Sequence, residues 1–129
     1  MTPELAALAA VAILQMIMVL VAQKSLTADI GVAGNIGPRD GDLALSPRTL
    51  RLRRAVENHV ENIGLFIIAV VVVTLAGKAS GFTALCAWIY VGARALYLPA
   101  YAFAWVPGRS VLWMIGLGAT LALLIAAFV

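Results

Sequence analysis

Four stretches of this chain carry almost no charge and approach the length needed to cross a lipid bilayer, which leaves 129 residues little choice but a membrane bundle. Leu5 to Ala22 is apolar except for Gln15, and at about 1.5 Å per residue it reaches roughly 27 Å, close to the hydrocarbon thickness. The run from Ile63 to Gly77 is short alone. It becomes a full span when its helix begins upstream, near Arg54, and carries Asn58 and Glu61 into the interface. Phe82 to Phe103 makes a third span with Arg94 inside it. Val111 to Val129 makes a fourth, uncharged and entered after the Pro107-Gly108 break. Hydrophobic residues make up 64% of the chain and charged ones 12%, against about 45–50% and about 25% in soluble domains. Apolar surface in that excess needs lipid to cover it. The expected architecture is therefore all-α and integral to the membrane, a four-helix bundle forming a single domain over residues 1–129.

Several alternatives fall away on composition. One cysteine, Cys86, precludes an intrachain disulfide, and its apolar surroundings fit inert packing. A net charge of +3 is too small to argue for nucleic acid. No basic head or small-residue cleavage site marks the first apolar segment, so it is expected to stay as a span.

Residues 24–54, with Gly31, Gly34, Gly37-Pro38, Gly41 and Ser46-Pro47, are expected to form a long loop rather than a helix. This segment holds six of the nine basic residues: Lys24, Arg39, Arg48, Arg51, Arg53 and Arg54. The turn Gly77-Lys78-Ala79-Ser80-Gly81 is tight, which makes spans two and three an antiparallel hairpin, and it offers only Lys78. The positive-inside rule then places the long loop and Arg109 on the cytoplasmic side, with both termini opposite.

The polar residues within the spans share faces. Arg54, Asn58 and Glu61 follow i, i+4, i+7, within an arc of about 60° at 100° per residue. Tyr90, Arg94, Tyr97 and Tyr101 span a similar arc of about 60° on the third helix. Antiparallel pairing puts the start of span two and the end of span three at one depth, where Arg109 opens span four. One pocket is expected to gather three arginines, the carboxylates of Glu57 and Glu61, an amide and two or three phenols. Charge inside a membrane is costly, so such groups need partners or water. A plainer reading pairs Arg54, Glu57 and Glu61 with Arg94 to lock the helices. The tyrosines, Trp105 and Trp113 also suit the aromatic belt at the interface. His59 lies about 140° from Arg54, off the polar face, and without a second His or Cys at ligand spacing it suggests no metal.

Guanidinium groups with a few carboxylates suit a small zwitterion bearing more than one carboxylate, because Arg bonds carboxylates in two-pronged fashion. Glutathione has that chemistry. Its thiol ordinarily ionises near pH 8.5, and an adjacent Arg would hold it as thiolate, while an apolar electrophile enters from the bilayer. The chain carries no Gly-rich phosphate loop, no Ser-His-Asp set and no CxxC pair.

Two segments carry a family resemblance. Arg54-Ala55-Val56-Glu57-Asn58-His59-Val60-Glu61-Asn62-Ile63-Gly64-Leu65-Phe66 resembles the second-helix pattern R-A-x-x-N-x-x-E-x-x-P-x-F of the membrane-associated proteins in eicosanoid and glutathione metabolism, the MAPEG family. Ala93-Arg94-Ala95-Leu96-Tyr97-Leu98-Pro99-Ala100-Tyr101 resembles that family's A-R-x-x-Y-x-x-x-Y. The span count matches over nearly the whole chain. Gly64 stands where the family usually has Pro, and Asn62 where the eicosanoid synthases have an aromatic residue. The resemblance implies a homotrimer with glutathione as co-substrate between subunits. Arg54, Asn58 and Glu61 would hold it, with Arg94, Tyr97 and Tyr101 completing the site and Arg109 activating the thiol. The implied activity is that of a transferase or peroxidase acting on an apolar electrophile or lipid hydroperoxide. Two other readings stay open: a small four-span transporter using a membrane glutamate, and a non-catalytic lipid-binding trimer.

Overall fold

The computed structural model describes all 129 residues as four helices. They are α1 (Pro3–Ile36), α2 (Pro47–Leu75), α3 (Gly81–Ala102) and α4 (Val106–Ala126). All four are long and apolar enough to cross a membrane. Helix α1 packs on α2 and α3, and α4 packs on α2 and α3 as well, while the backbones of α1 and α4 stay apart. The core forms where these faces meet, around Val11, Phe66, Val70, Tyr90, Ala119 and Leu123. Large apolar side chains such as Ile17, Leu20, Ile68, Leu85, Met114 and Leu121 point outward, an inside-out arrangement that suits lipid as solvent.

The helix boundaries depart from expectation at two places. Most of residues 24–54 is helical, and the true connection between α1 and α2 is only residues 37–46. Gly31 alone leaves helical geometry, at φ 73° and ψ 171°, and the chain kinks there instead of stopping. Glycine takes that left-handed φ without the Cβ clash other residues meet. Tertiary bonds then hold the extension against α2. Ser25 and Thr49 share a hydrogen bond of 2.6 Å. The backbone N–H of Ser46 and its hydroxyl both donate to Asp29 Oδ2, at 2.8 and 2.9 Å. Ser46 also caps α2 by accepting from the Thr49 N–H, so one serine both starts a helix and anchors its predecessor. Likewise α4 begins at Val106, with Pro107 and Gly108 inside its first turn rather than before it. Proline is favoured there because its missing N–H has no partner to lose.

At the end away from the long connection, Glu4 is fully buried. Its Oε1 accepts from the Thr83 hydroxyl and from the Ser80 N–H, at 3.3 Å for the latter, which pins the start of α1 to the α2–α3 turn. Oε2 has no partner. Replacing Thr83 by Val keeps the shape and removes the donor, leaving a buried carboxylate shorter of bonds. Thr83→Val is expected to cost about 1–3 kcal/mol, read as a lowered melting temperature in detergent. An unchanged melting curve would show that the Thr83 bond to Glu4 contributes nothing to stability.

Candidate functional site

The opposite end of the bundle is polar because connectivity makes it so. The beginning of α2, the end of α3 and the beginning of α4 lie there together. Arg51 fastens two of them, its Nε donating to the Ala102 carbonyl at 3.1 Å, at the terminus of α3. Pro99, inside α3, deprives that helix of one backbone donor between Tyr97 and Tyr101. The chain then turns through Ala104, at φ 55°, into α4.

Between these three helices lies a cleft of ≈ 580 Å³, well within the range of about 300–1,000 Å³ typical of small-molecule sites. From α2 it is lined by Arg54, Glu57, Asn58 and Glu61, and from α3 by Tyr97 and Tyr101. Helix α4 contributes Arg109, Ser110, Trp113 and Met114. The guanidinium of Arg109 lies over the Tyr101 ring, 4.7 Å from its centroid. The rings of Tyr97 and Tyr101 are tilted by 57° at 5.6 Å. Two cations, two carboxylates, an amide and two phenols therefore face one opening.

Arg94 sits elsewhere than expected. It is 1% exposed and lies behind the cleft wall rather than in it, so two arginines line the cleft and not three. Its Nη1 donates to Asn58 Oδ1 at 3.0 Å; it is an amide, not Glu57 or Glu61, that takes the bond. Asn58 is thus held from behind by Arg94, while the Asn62 amide donates to its backbone carbonyl at 2.8 Å. The Arg94 guanidinium is flanked by the rings of Tyr90 and Tyr97, at 5.5 and 5.3 Å. Their electron-rich faces supply part of what a counter-ion would, about 2 kcal/mol or more per contact when desolvated.

Tyr90 shares the stripe of Tyr97 and Tyr101 but not their surroundings. It is buried and stacked on Phe66 at 3.9 Å with an interplanar angle of 4°. Its hydroxyl, Arg94 Nε and both nitrogens of His59 are buried without partners. Trp113, expected in the interfacial belt, forms part of the cleft wall, whereas Trp105 is 58% exposed. Ser110 escaped the sequence reading because span four was expected to start at Val111, and Met114, inside that span, carried no polar group to single it out. With the helix starting at Val106, residues 109 and 113, and 110 and 114, are successive turns of one face.

The arrangement suits recognition of a small molecule with separated negative and positive groups. Arg54 and Arg109 offer two-pronged donors to carboxylates, and Glu57 and Glu61 accept from an ammonium or amide. The phenols supply neutral donors beside both. Fold and cleft together define an integral membrane protein whose four spans carry a charged, ligand-sized cleft at one end. Its kinship is equally plain: the family model described as MAPEG family matches residues 4–129, and the chain belongs to the MAPEG family. No curated protein and no solved structure matches it significantly.

Proposed function

We propose that this protein binds glutathione in the α2–α3–α4 cleft and uses it as co-substrate, as a membrane transferase or peroxidase. The second substrate would be an apolar electrophile or a lipid hydroperoxide drawn from the bilayer. The observation that carries this reading is the opposed pair of arginines, Arg54 and Arg109, lining one cleft with Glu61 and Asn58. Glutathione has two carboxylates, one ammonium group and two amides, and the cleft presents a complement for each. In this reading Arg54, Asn58, Glu61, Tyr97 and Tyr101 hold the tripeptide, and Arg109 stabilises the thiolate. Arg94 acts through Asn58 as a positioning residue. The working form proposed is a homotrimer, with the α1–α2 connection and Arg109 facing the cytoplasm.

The transporter alternative would want a buried carboxylate partway along a span. Glu61 is exposed to the cleft beside arginines, and the one fully buried carboxylate, Glu4, is tied to Thr83 and Ser80 at a helix end. Neither serves that mechanism.

Adding millimolar glutathione is expected to raise the melting temperature of the parent protein in detergent. Arg54→Ala and Glu61→Ala are expected to abolish most of that shift while melting normally without ligand. Losing one charge-assisted pair weakens binding by about 1.5–3 kcal/mol, or roughly 10- to 150-fold. A parent protein that does not respond to glutathione at all would end the proposal.

A further inference from the structure

The first turn of α4, which brings Arg109 to the cleft, is weak by its own residues. Trp105 at its N-cap offers no side-chain acceptor to the free N–H groups there, and Gly108 is the poorest helix former after proline. These two residues touch each other. The Trp105 indole lies directly on Gly108, where a methyl group would meet three ring atoms at 2.1, 2.2 and 2.4 Å. Glycine is the one residue that lets the ring approach so closely. Gly108 is buried, although Trp105 itself is 58% exposed.

Trp105 is also a joint between helices. Its N–H donates to the Ala100 carbonyl at 2.9 Å, in the last turn of α3, and its carbonyl accepts from the Arg109 N–H at 3.0 Å. The preceding Ala104 N–H donates to the Tyr101 carbonyl at 3.1 Å. Backbone bonds thus run from this turn to Tyr101 on one side and to Arg109 on the other. These are the two residues whose ring and guanidinium lie 4.7 Å apart in the cleft wall. We infer that Trp105 is a positioning residue for Arg109: its ring, seated on Gly108, fixes the first turn of α4 and so the place of the guanidinium over Tyr101. The consequence for turnover rests on the glutathione reading, whereas the contact does not. An aromatic residue that only anchors the loop in the lipid interface needs no particular neighbour at position 108.

Two substitutions break the contact from opposite sides. Gly108→Ala keeps the indole but drives it off the helix, and Trp105→Ala removes it, with Trp105→Leu in its place should that variant unfold. Turnover is measured with glutathione and chlorodinitrobenzene or cumene hydroperoxide. Each variant is expected to lose about 10- to 100-fold in kcat, the scale of an approximately 1 Å misplacement of a catalytic group. KM for glutathione is expected to stay within about threefold, because Arg54, Asn58 and Glu61 approach from α2. The double variant is expected to lose no more than the worse single one, since both break one contact. Amide hydrogen exchange in detergent reads the turn without any substrate, and the Arg109 N–H is expected to exchange about tenfold faster in Gly108→Ala. Either parent-like exchange or parent-like turnover in Gly108→Ala overturns the inference, and so do single losses that multiply in the double variant. A loss confined to Trp105→Ala overturns it too, by assigning the ring to the lipid interface. A parent protein that ignores glutathione sinks the proposed function instead, and exchange then still decides whether the ring holds the turn.

Discussion

Arg109→Ala is expected to lower turnover with glutathione by about 10²–10³-fold, the usual cost of removing one donor aimed at developing negative charge. The expectation rests on where Arg109 lies. It enters the cleft from the first turns of α4, packed over the Tyr101 ring, while Arg54 faces it from α2. On the glutathione reading the two arginines divide the work. Arg54 meets a carboxylate whose charge is the same before and during reaction, so its loss weakens binding. Arg109 meets the sulfur, whose charge exists only once the proton has left, so its loss falls on turnover. A free thiol ionises near pH 8.5, and without the guanidinium only a small fraction is thiolate at neutral pH.

The sign of the pH effect follows from this. Raising the pH through the thiol's ordinary range supplies thiolate without help, so the deficit of Arg109→Ala should shrink as pH rises. Arg109→Lys keeps a point charge but loses the planar fork, and should recover part of the rate. Thiolate absorbance of bound glutathione in the ultraviolet gives a readout independent of turnover. Parent-like absorbance and turnover in Arg109→Ala would mean that the sulfur lies elsewhere in the cleft.

How much of this could be read from residues alone depends on what fixes each feature. Lipid as solvent fixes the spans: charge is so costly there that four nearly uncharged runs leave one architecture. The helical period fixes the shared face of Arg54, Asn58 and Glu61, and antiparallel connectivity brings it level with Tyr97, Tyr101 and Arg109. Period and connectivity say which way a side chain faces, however, and not how far it is covered. Arg94 lies on the same stripe as Tyr97 yet is sealed behind Asn58, with α4 packed against it at Gly116. A methyl group at Gly116 would stand in ordinary contact, 3.7 Å from Arg94 Nε and 3.6 Å from the Tyr90 ring, so it is the docking of α4 and not the glycine that covers Arg94. The extension of α1 past Gly31 was illegible for another reason. Local signals there favour a break, and the bonds that override them, from Asp29 to Ser46 and between Ser25 and Thr49, join residues 17 and 24 positions apart.

Phe66→Ala is expected to destabilise the bundle by about 3 kcal/mol, the low end of the range for such truncations in soluble cores. The discount has a physical source. A buried phenylalanine in a soluble protein is favoured over water, whereas a helix already in a bilayer exchanges contact with protein for contact with lipid, so chiefly packing is lost. Here the packing is close: Phe66 is fully buried, stacked flat on Tyr90, and surrounded by Ala69, Val70, Ala119 and Leu123. Lipid does not reach the space that the ring would vacate. Ile68, two residues on, is 53% exposed and faces outward, and its truncation to Ala should cost under about 0.5 kcal/mol, as for surface positions elsewhere. Unfolding both variants in mixed micelles with increasing sodium dodecyl sulfate measures the difference, and equal losses would mean that the outward face, not the Phe66–Tyr90 stack, holds the helices together. The truncation should also reach the charged end. Tyr90 supports the guanidinium of Arg94, and Arg94 holds Asn58 at the cleft wall. Phe66→Ala should therefore weaken the glutathione response under conditions where the bundle is still folded, although Phe66 itself lines no part of the cleft.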